Sequence, residues 1–415
     1  MKKKKILDEL GEEIFEVETA EWYACKGKVP PSQWDWGLIK KEWKKLGMPK
    51  DLAYDPFHIP FGAKDRLHCG YYMLISKRGV GKTTSMVLLG LILFKLYGVK
   101  IQYIRQNQDM LKPKFAQELM STILSCGYIE KLTEGRWNYA YYYANRWVFA
   151  KVDEDGHILE KTSIHFMYTL SVDQSFTYKS NYNAPDGDFT IFDEFISKNY
   201  RPNEFVYYMD ILSTIIRKRS GVINVMLSNN IDEYSEYFDE FEINDRIRTM
   251  KKGDCDIVTT PGGTRIYVEL IDHHDKNAAR LNKEYFGFKN PRLVAITGEG
   301  EWNVPCCKHY DMEDETELID RTHYIKMGLN LVNLELLRSE KYGYIVRVRK
   351  ATRYYDDSTI YTMDEIEDSR FRKGMGWTNV DRFIWTLLSR DMWHYATNSQ
   401  KNFVDKYRQS AYTKY

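Results

Sequence analysis

The chain has 415 residues, of which 43% are hydrophobic and 15% aromatic. This length and composition exclude one small domain and predict about two or three domains with substantial cores. With 60 basic and 59 acidic residues, the net charge is +1. A balance this close to zero excludes a global attraction to polyanions, so any nucleic-acid contact must depend on local basic patches.

The cysteines and the start of the chain indicate the cellular compartment of the protein. Six cysteines are scattered without a disulfide or C-x-x-C framework, which is typical of a reducing environment. The single cluster, Cys306, Cys307 and His309, has no second ligand pair at zinc spacing, so ordinary thiols are favoured over a zinc site. The first residues, MKKKKILDELGEE, carry acids where a signal peptide is apolar, and the longest apolar run, Met86–Phe94, is about half a membrane span. We expect a soluble intracellular protein without a membrane segment.

Residues 1–50 combine a lysine run with tryptophans among charges. This composition predicts an N-terminal extension that packs through its aromatic side chains onto the next domain. Lys2–Lys5 form a solvated tail in the favoured interpretation, and a nucleic-acid contact is the alternative.

The segment Tyr71–Tyr97 reads as strand, loop and helix. Tyr71–Ser76 is a short apolar strand, SKRGVGK is a tight loop, and Thr83–Tyr97 is a mostly buried helix. A strand that leads through a glycine-containing loop into a helix N-terminus is typical of a phosphate site, because backbone N–H groups and the helix dipole converge on one anion.

The loop residues match the G-x-x-x-x-G-K-[ST] pattern except that Ser76 replaces its first glycine. Gly79 and Gly81 allow the backbone to wrap the phosphates, Lys82 would reach the β- and γ-oxygens, and the Thr83 hydroxyl would bind Mg²⁺. The alternative is a strand–helix loop with a chance Lys-Thr pair. The predicted nucleotide-contacting residues of the loop are Ser76, Lys77, Arg78, Gly79, Val80, Gly81, Lys82, Thr83 and Thr84.

From about residue 51 to 245, strand-like and helix-like runs alternate, which predicts an α/β domain with a parallel-rich sheet flanked by helices. Apolar strands that each end in polar residues are typical of a parallel sheet with a site at its carboxyl edge. The further predicted elements are strands at Lys100–Arg105, Trp147–Lys151, Ile164–Tyr168, Phe189–Asp193 and Val222–Leu227 and helices at Pro113–Leu124 and Phe205–Arg217.

Two acids follow the predicted strand FTIFD. Asp193 would hold the Mg²⁺ that it shares with Thr83, and Glu194 would orient and polarise the attacking water. An acidic pair after a strand is common by itself, and a solvated turn is the alternative. Together with the phosphate loop in an α/β context, the pair predicts ATP hydrolysis.

Polar residues also end the strand VINVML. Ser228 or Asn229 would lie beside the acids and sense the γ-phosphate, although Ser-Asn-Asn is also an ordinary exit from a strand. The predicted helix Phe205–Arg217 is followed by Lys218 and Arg219. On composition alone, this basic end only complements the helix dipole.

Beyond residue 245 the character of the chain changes. A basic stretch and a turn predict a small linker or lid subdomain at 246–290, and residues 291–415 predict a third region with strands and terminal helices. Its predicted strands are Arg292–Thr297, Tyr344–Arg349 and Arg353–Tyr355.

Several segments together resemble a known family. SKRGVGKT, YKSNYNAPDGDFTIFDEF, the helix that ends IIRKR, and VMLSNN resemble the DNA-encapsidation ATPases of phi29-like phages, relatives of the large terminase subunits within the additional-strand (ASCE-type) P-loop ATPases. The motifs match in order and spacing across about residues 71–230. HYATNSQKNFVDKYR resembles the C-terminal helix of the family more weakly.

The resemblance implies roles for individual residues. Lys82, Thr83, Asp193 and Glu194 match the nucleotide site, and Arg78, a predicted catalytic residue, falls where the family's loop also has an arginine. Arg217 matches an arginine finger that acts on the neighbouring subunit, for which a guanidinium is chemically suited. Lys179 matches a basic residue of intersubunit communication, with a surface lysine as the alternative.

The resemblance also implies an assembly and a location. It implies a homo-oligomeric ring, a pentamer, that uses ATP and Mg²⁺ to pump double-stranded DNA through the portal into a procapsid in the host cytoplasm. It implies an α+β C-terminal domain of RNase H-type fold that has lost nuclease activity. A packaging RNA or a terminal protein is a candidate partner, on which the sequence is silent, and the first 50 residues have no counterpart in the smallest family members.

A motor that moves any DNA sequence should grip phosphates without reading bases. The candidate basic patches, each of which is a solvated face in the alternative interpretation, are Arg246, Arg248, Lys251 and Lys252, and Arg347, Arg349, Lys350, Arg353, Arg370, Arg372 and Lys373. The segment YIVRVR has arginines where a nuclease would need metal ligands, which favours a domain that does not cut.

Two other functions fit the same ATPase motifs. One is a helicase or helicase loader on single strands, which the lack of an aromatic single-strand-binding module disfavours. The other is a nucleotide-gated scaffold without turnover, which has no use for Glu194 as a water-polarising base.

Overall fold

The computed structural model describes residues 3–7, 13–17, 29–47, 54–62, 68–76, 79–182, 186–196, 201–229, 234–272, 308–310, 314–375 and 378–412. The chain forms two compact units. The first comprises Met1–Phe195, Val206–Asn229 and Met250–His274, and the second comprises Ile196–Phe205, Asn230–Thr249 and Asp275–Tyr415.

The described helices are α1 (Trp36–Lys45), α2 (Lys82–Tyr97), α3 (Pro113–Ser125), α4 (Tyr128–Leu132), α5 (Ser175–Asn181), α6 (Glu204–Ile216), α7 (Glu236–Glu240), α8 (Asn244–Thr249), α9 (Asn379–Ser389) and α10 (Asn398–Tyr412). The strands of the first unit are β1 (Lys3–Leu7), β2 (Glu13–Val17), β3 (Tyr71–Ile75), β4 (Ile101–Arg105), β5 (Tyr139–Tyr143), β6 (Arg146–Val152), β7 (Ile158–Ser171), β8 (Phe189–Asp193), β9 (Ile223–Ser228), β10 (Cys255–Thr259) and β11 (Arg265–Leu270). Those of the second unit are β12 (Lys308–His309), β13 (Thr316–Met327), β14 (Asn330–Ser339), β15 (Gly343–Lys350), β16 (Thr359–Thr362), β17 (Phe371–Arg372) and β18 (Trp393–Tyr395).

The first unit is organised by one sheet, in the order β1-β2-β7-β4-β8-β9-β3-β11-β10, with β5 and β6 as a hairpin on β7. In this spatial order, every neighbouring pair in the run β2-β7-β4-β8-β9-β3-β11 is parallel. Every residue of β8 and β9 is buried, as the continuous apolar character of these strands requires in a sheet covered on both faces. The predicted parallel-rich α/β domain is confirmed.

Helix α2 lies against this sheet and is buried on all sides over most of its length, in agreement with its unbroken apolar sequence. Gly90 permits the close approach, because a Cβ atom there would lie 2.5 Å from Cγ1 of Ile101 in β4. The helix ends at Gly98, whose φ of 68° suits only glycine comfortably.

The N-terminal extension contributes aromatic side chains to the same core. Trp34 and Trp43 are buried with the residues of α2, and the Trp34 ring stacks on Tyr97 at a centroid distance of 5.9 Å. The predicted packing of the extension through its tryptophans is therefore observed for these two residues.

The structure differs from the predicted elements in two segments. The strand predicted at Arg353–Tyr355 is wrong, since these residues form an irregular segment before β16. Strands β10 and β11 form a hairpin within the segment predicted as a linker, and β11 pairs in parallel with β3, from Ile266 opposite Tyr71 to Leu270 opposite Ile75. The predicted strand Arg292–Thr297 lies outside the described residues.

The second unit has its own sheet, in the order β12-β18-β15-β14-β13-β16-β17. Strands β13, β14 and β15 form an antiparallel meander, and β16 and β17 follow in parallel with β13. Residues of α9 and α10 complete a core with one face of this sheet, including Ile384, Phe403 and Tyr407.

Among the described helices, none is both long and apolar enough to span a membrane. Cys69, Cys126 and Cys255 are free thiols. Cys306 and Cys307, the cysteines of the disfavoured zinc site, lie outside the described residues.

Candidate nucleotide site

The predicted phosphate loop connects β3 to α2 in the first unit. Gly79 and Gly81 have φ angles of 86° and 76°, a left-handed conformation that an L-amino acid adopts only with strain. Gly81 is the N-cap of α2, so the first N–H groups of a 16-residue helix face the loop. Ser76 is buried at the end of β3, and Val80 is buried too. Lys77 and Arg78 lie outside the described residues.

Lys82 is the first residue of α2, and its side chain is buried against the neighbouring strand ends. Its ammonium donates to Oγ of Ser76 and, at 3.2 Å, to Oδ1 of Asn229 after β9. Burial lowers the pKa of Lys82 to about 8, against the opposing effect of the Asp193 and Glu194 charges. The loop thus holds a cation at the position that would face phosphate oxygens.

Asp193 is the last residue of β8, and both of its oxygens accept hydrogen bonds. The Thr83 hydroxyl donates to Oδ1 at 3.1 Å, and the Tyr103 hydroxyl donates to Oδ2 at 2.6 Å. Burial raises the pKa of Tyr103, and the Asp193 charge raises it further, so this phenol remains a donor. The two predicted magnesium ligands, Thr83 and Asp193, are therefore in direct contact.

Glu194 follows with a φ of 57°, in the left-handed region that costs a glutamate on the order of 1 kcal/mol. Its Oε2 accepts from Nη2 of Arg105 at 2.8 Å, and its Oε1 accepts from Nδ2 of Asn229 at 3.3 Å. Asn229 thus contacts both Lys82 and Glu194, which links the phosphate loop to the predicted base.

Ser228, the other predicted sensor residue, is buried at the end of β9. Its carbonyl accepts from the Ser76 amide at 3.1 Å, which ties the strand end to the start of the loop. Thr84, in the first turn of α2, lines a cavity of about 620 Å³ together with Thr83, Tyr103, Arg105 and Asp193.

Arg105 and Tyr103 are site residues that the sequence analysis missed. Arg105 ends β4 and donates from Nη1 to Oδ2 of Asp193 at 2.9 Å, and its side chain is 16% exposed. A signal was present, because the predicted strand Lys100–Arg105 is apolar and ends in a charged residue, as the strand before Asp193 does. Only the strand order, with β4 next to β8, shows that the two ends meet.

Arg217 lies at the opposite edge of the sheet from these carboxylates. It follows α6 with a φ of 48°, and its Nη2 donates to the carbonyl of Tyr182 at 3.0 Å. Its neighbour Arg219 donates to Asp188, directly before β8, whereas Asp193 ends that strand. Since five residues of strand span roughly 13 Å, Arg217 does not reach the nucleotide site of its own chain.

Lys179 lies on α5, and its ammonium forms an ion pair with Oδ1 of Asp210 in α6 at 3.2 Å. The lysine side chain is 59% exposed. The structure does not bring Lys179 into the set of residues around Lys82 and Asp193 through any contact within the described ranges.

The predicted basic patches are partly engaged in ion pairs. Arg347 and Arg349 of β15 both pair with Glu335 of β14, at 2.5 and 3.4 Å. Arg370 pairs with Asp368 at 2.5 Å, and Arg248 pairs with Asp245 at 3.3 Å. These contacts leave the DNA prediction untested.

One set of three metal-ligand side chains lies close together within the described ranges. It is Asp153, Asp155 and His157 in the turn between β6 and β7 of the first unit. The predicted loss of nuclease activity in the C-terminal region stays a prediction.

These features define a class. A glycine loop between β3 and α2, an acid pair after β8, and a strand, β9, between β3 and β8 fit a P-loop ATPase of the additional-strand type.

Solved structures of phage packaging motors and of a terminase ATPase domain are similar to the structure of this chain. The bacteriophage Phi-29 viral genome packaging motor assembly aligns over 87% of this chain and 99% of its own, with 17% identity and a TM-score of 0.51. The Phi-28 gp11 DNA packaging motor aligns over 88% and 98%, with 16% identity and a TM-score of 0.48. The large terminase ATPase domain of a Thermus phage aligns over 66% and 100%, with 14% identity and a TM-score of 0.36. No protein-family model and no curated protein matches the sequence.

At this identity, the likeness to the Phi-29 motor assembly establishes a shared fold. The resemblance predicted from the motifs is thereby confirmed at the level of the fold, over most of the chain.

Proposed function

We propose that the protein is an ATP-hydrolysing motor that translocates double-stranded viral DNA through the portal into a preformed capsid. The observation that carries the proposal is the hydrogen bond from Thr83 Oγ1 to Asp193 Oδ1, which joins the phosphate loop to the acid-bearing strand. The fold shared with the Phi-29 packaging motor assembly supports the packaging role.

The residues present fit ATP and Mg²⁺. Left-handed glycines, a helix N-terminus and a buried lysine suit phosphates, and a hydroxyl in contact with a carboxylate suits a hard cation. When bound, ATP supplies the phosphoryl group and Mg²⁺ neutralises its developing charge.

In this proposal each side chain has one task. Lys82 holds the phosphate oxygens, and Thr83 and Asp193 hold the cation. Glu194 orients the attacking water, and Ser228 and Asn229 sense the state of the site. Arg78, which matches the family's loop arginine, is proposed to act within the loop.

Arg217 is proposed to act on the next subunit of a homo-oligomeric ring, a pentamer. Its place at the far edge of the sheet from Asp193 supports a role in trans, since a guanidinium there has no access to its own site. Lys179 is proposed to take part in communication at the same subunit boundary.

The C-terminal unit is proposed to have an RNase H-type fold without nuclease activity. An antiparallel meander followed by two strands parallel to its first strand supports this assignment. The division into residues 1–50, 51–245, 246–290 and 291–415 remains part of the proposal. So do DNA contact through the basic patches, a packaging RNA or terminal protein as partner, and action in the host cytoplasm on the procapsid.

Mixing two inactive variants tests the trans role. Lys82→Ala and Arg217→Ala proteins are assembled separately and together, and ATP turnover is measured with duplex or single-stranded DNA. If Arg217 acts in trans, mixed rings contain sites where an intact lysine faces an intact arginine, so part of the activity returns.

The exposed neighbour Lys218→Ala is the matched control, and it should turn over ATP like the unaltered protein. Absence of complementation despite demonstrated mixed assembly would refute the trans finger. Stimulation by single-stranded but not duplex DNA would instead favour a helicase.

A further inference from the structure

The guanidinium of Arg217 is held by backbone carbonyls. Its Nε donates to the carbonyl of Thr214 at 3.2 Å, and its Nη2 donates to the carbonyl of Tyr182 at 3.0 Å. Within the described ranges it contacts no carboxylate, whereas its neighbour Arg219 forms an ion pair with Asp188. An exposed guanidinium that no acid of its own chain neutralises is available to pair with an anion from outside the chain.

The backbone at Arg217 is strained as well. Helix α6 ends at Ile216, and Arg217 follows with a φ of 48°, in the left-handed region that favours glycine. A residue keeps such a conformation only where its surroundings fix it. The contact with the Tyr182 carbonyl comes from another element, so it ties the end of α6 to the segment that follows α5.

Tyr182 is itself anchored to the sheet. It is the C-cap of α5, and its amide donates to the carbonyl of Tyr178 at 3.0 Å. Its ring meets Tyr168 of β7 edge-on at a centroid distance of 5.5 Å, and its hydroxyl donates to Oε1 of Gln102 in β4. Burial raises the pKa of Tyr182, so this phenol remains a donor.

The acceptor of this hydrogen bond is confined too. The Gln102 side chain is fully buried, and its Nε2 donates to the carbonyl of Lys100 at 3.4 Å, which leaves Oε1 for the tyrosine. A Cβ atom on Gly187 would lie 2.6 Å from Nε2, so the amide has little room to turn. The ring of Tyr182 therefore has one well-defined position, and its carbonyl is placed with it.

We propose that Tyr182 is a positioning residue for Arg217. Its ring, anchored on Gln102, fixes the carbonyl that directs the guanidinium towards the neighbouring subunit. The inference rests on the proposed function, because it takes Arg217 to act on the nucleotide of the next subunit. It adds a side chain after α5 and one in β4 to a reaction that takes place in another copy of the chain.

Steady-state kinetics of the full chain with duplex DNA give the first test. Tyr182→Phe keeps the ring but removes the hydroxyl, which leaves the buried Gln102 oxygen without its donor. We expect kcat to fall by about tenfold, a fraction of the roughly 10³–10⁵ that an arginine finger contributes. The KM for ATP and the affinity for a fluorescent non-hydrolysable ATP analogue with Mg²⁺ should not change, because the lost contact acts in the transition state.

A double variant shows whether Tyr182 acts through Arg217. In the Arg217→Ala background, Tyr182→Phe should lower single-turnover hydrolysis no further, since there is no guanidinium left to position. Two independent losses would multiply instead. A further tenfold fall in the double variant would therefore contradict the proposal.

Mixed assemblies show in which subunit Tyr182 acts. Unaltered subunits are diluted into an excess of Lys82→Ala subunits or of Lys82→Ala/Tyr182→Phe subunits, and turnover per intact lysine is compared. It should be about tenfold lower in the second mixture, although the hydrolysing subunit is the same. Tyr182→Phe subunits diluted into Lys82→Ala subunits should, in contrast, turn over like unaltered ones. The reverse pattern would place Tyr182 at its own nucleotide site and overturn the proposal.

Tyr178→Phe is the matched control. It removes the hydroxyl that accepts from the Ser171 amide at 3.2 Å, one turn before Tyr182, and should leave kcat unchanged. If Tyr182→Phe does not fold, Gln102→Met removes the acceptor from the other side and should reproduce the fall in kcat.

The failures can be told apart. An unaltered protein that does not hydrolyse ATP, or an Arg217→Ala variant with full turnover, would refute the proposed function or its trans finger. If both behave as proposed and Tyr182→Phe still has an unchanged kcat, the role of Tyr182 alone is refuted.

Discussion

Each unit of the protein buries a cluster of charges, and the two clusters differ in what they face. In the first unit, Asp193 ends β8 and Glu194 follows it, beside a glycine loop, and Asp193 lines an open cavity. In the second unit, His323 lies between two acids, with Nδ1 2.8 Å from Asp320 and Nε2 3.0 Å from Asp381.

The difference lies in access. His323 and Asp381 are 5% and 0% exposed, and the His323 ring stacks on Tyr361. Asp381 also closes a capping box with Thr378 at the start of α9. The second cluster thus satisfies its charges internally and holds β13 to α9, whereas the first has a concave opening in front of it. Buried charge by itself does not identify a functional site, and the opening beside it does.

Removal of the Glu194 charge should give the largest effect on function. Glu194→Gln keeps the shape and the contact with Asn229, so Mg²⁺-nucleotide should still bind. ATP turnover should fall by about 10²–10³-fold, which is typical for loss of one catalytic group. Steady-state hydrolysis and analogue binding check the two parts. Equal losses of ATP turnover and of analogue binding would mean that Glu194 contributes to nucleotide binding and not to catalysis.

The histidine cluster should respond in stability. His323→Gln leaves the buried Asp381 and the partly exposed Asp320 without their cation, which should cost the second unit about 3 kcal/mol. Hydrogen–deuterium exchange of peptides from β13 and α9 in the full chain measures this local loss. ATP turnover per folded subunit should change little in comparison.

The same cluster predicts a pH dependence. Burial alone would lower the pKa of His323, but hydrogen bonds and charges of Asp320 and Asp381 outweigh burial and raise it above 6.5. Its stabilisation is then fully present below about pH 6.5 and lost as the pH rises through the folded-state pKa. Burial would raise the pKa of Asp320, yet the His323 and Thr322 contacts lower it to about 2, so its contribution is lost only as pH falls below 3.8.

Exchange protection of β13 should therefore decrease as the pH rises above about 6.5, after correction for intrinsic exchange. In His323→Gln the dependence should flatten. An unaltered slope in the variant would show that another group controls this range.

An exposed ion pair should give the smallest effect on stability. The Arg349 side chain is 59% exposed and lies 3.4 Å from Glu335. Arg349→Ala should therefore change the free energy of unfolding by less than about 1 kcal/mol. If its patch grips phosphates, the log–log slope of duplex DNA affinity against salt should become shallower by about 0.9. An unchanged slope would remove Arg349 from the DNA contact, and Arg347, with 23% exposure and the shorter pair, is the internal comparison.

Local sequence patterns predicted much of the secondary structure of the first unit. Strand β8 and helix α2 were predicted nearly to the residue, because unbroken apolar runs between glycine or acidic boundaries have few other solutions. The positions of Gly79, Gly81, Lys82 and Thr83 follow from spacing alone, since the loop is a local structure. The strand predicted at Arg353–Tyr355 is wrong because this short stretch of β-prone residues has no neighbouring strand to pair with.

Contacts between segments that are distant along the chain could not be predicted from the sequence. The hydrogen bond between Tyr103 and Asp193 depends on the order of β4 and β8 in the sheet, and the pairing of β11 with β3 joins residues 195 positions apart. The contact between His323 and Asp381 likewise joins β13 to α9 and has no local signature.

By itself, the sequence determined that a nucleotide loop and an acid pair exist, because both depend on residues adjacent along the chain. The tertiary structure alone decided that Arg105 bridges Asp193 and Glu194 and that Arg217 stands at the opposite edge of the sheet. Those placements follow from which strands lie side by side and in which direction they run, and periodicity within one strand carries no information about its neighbours.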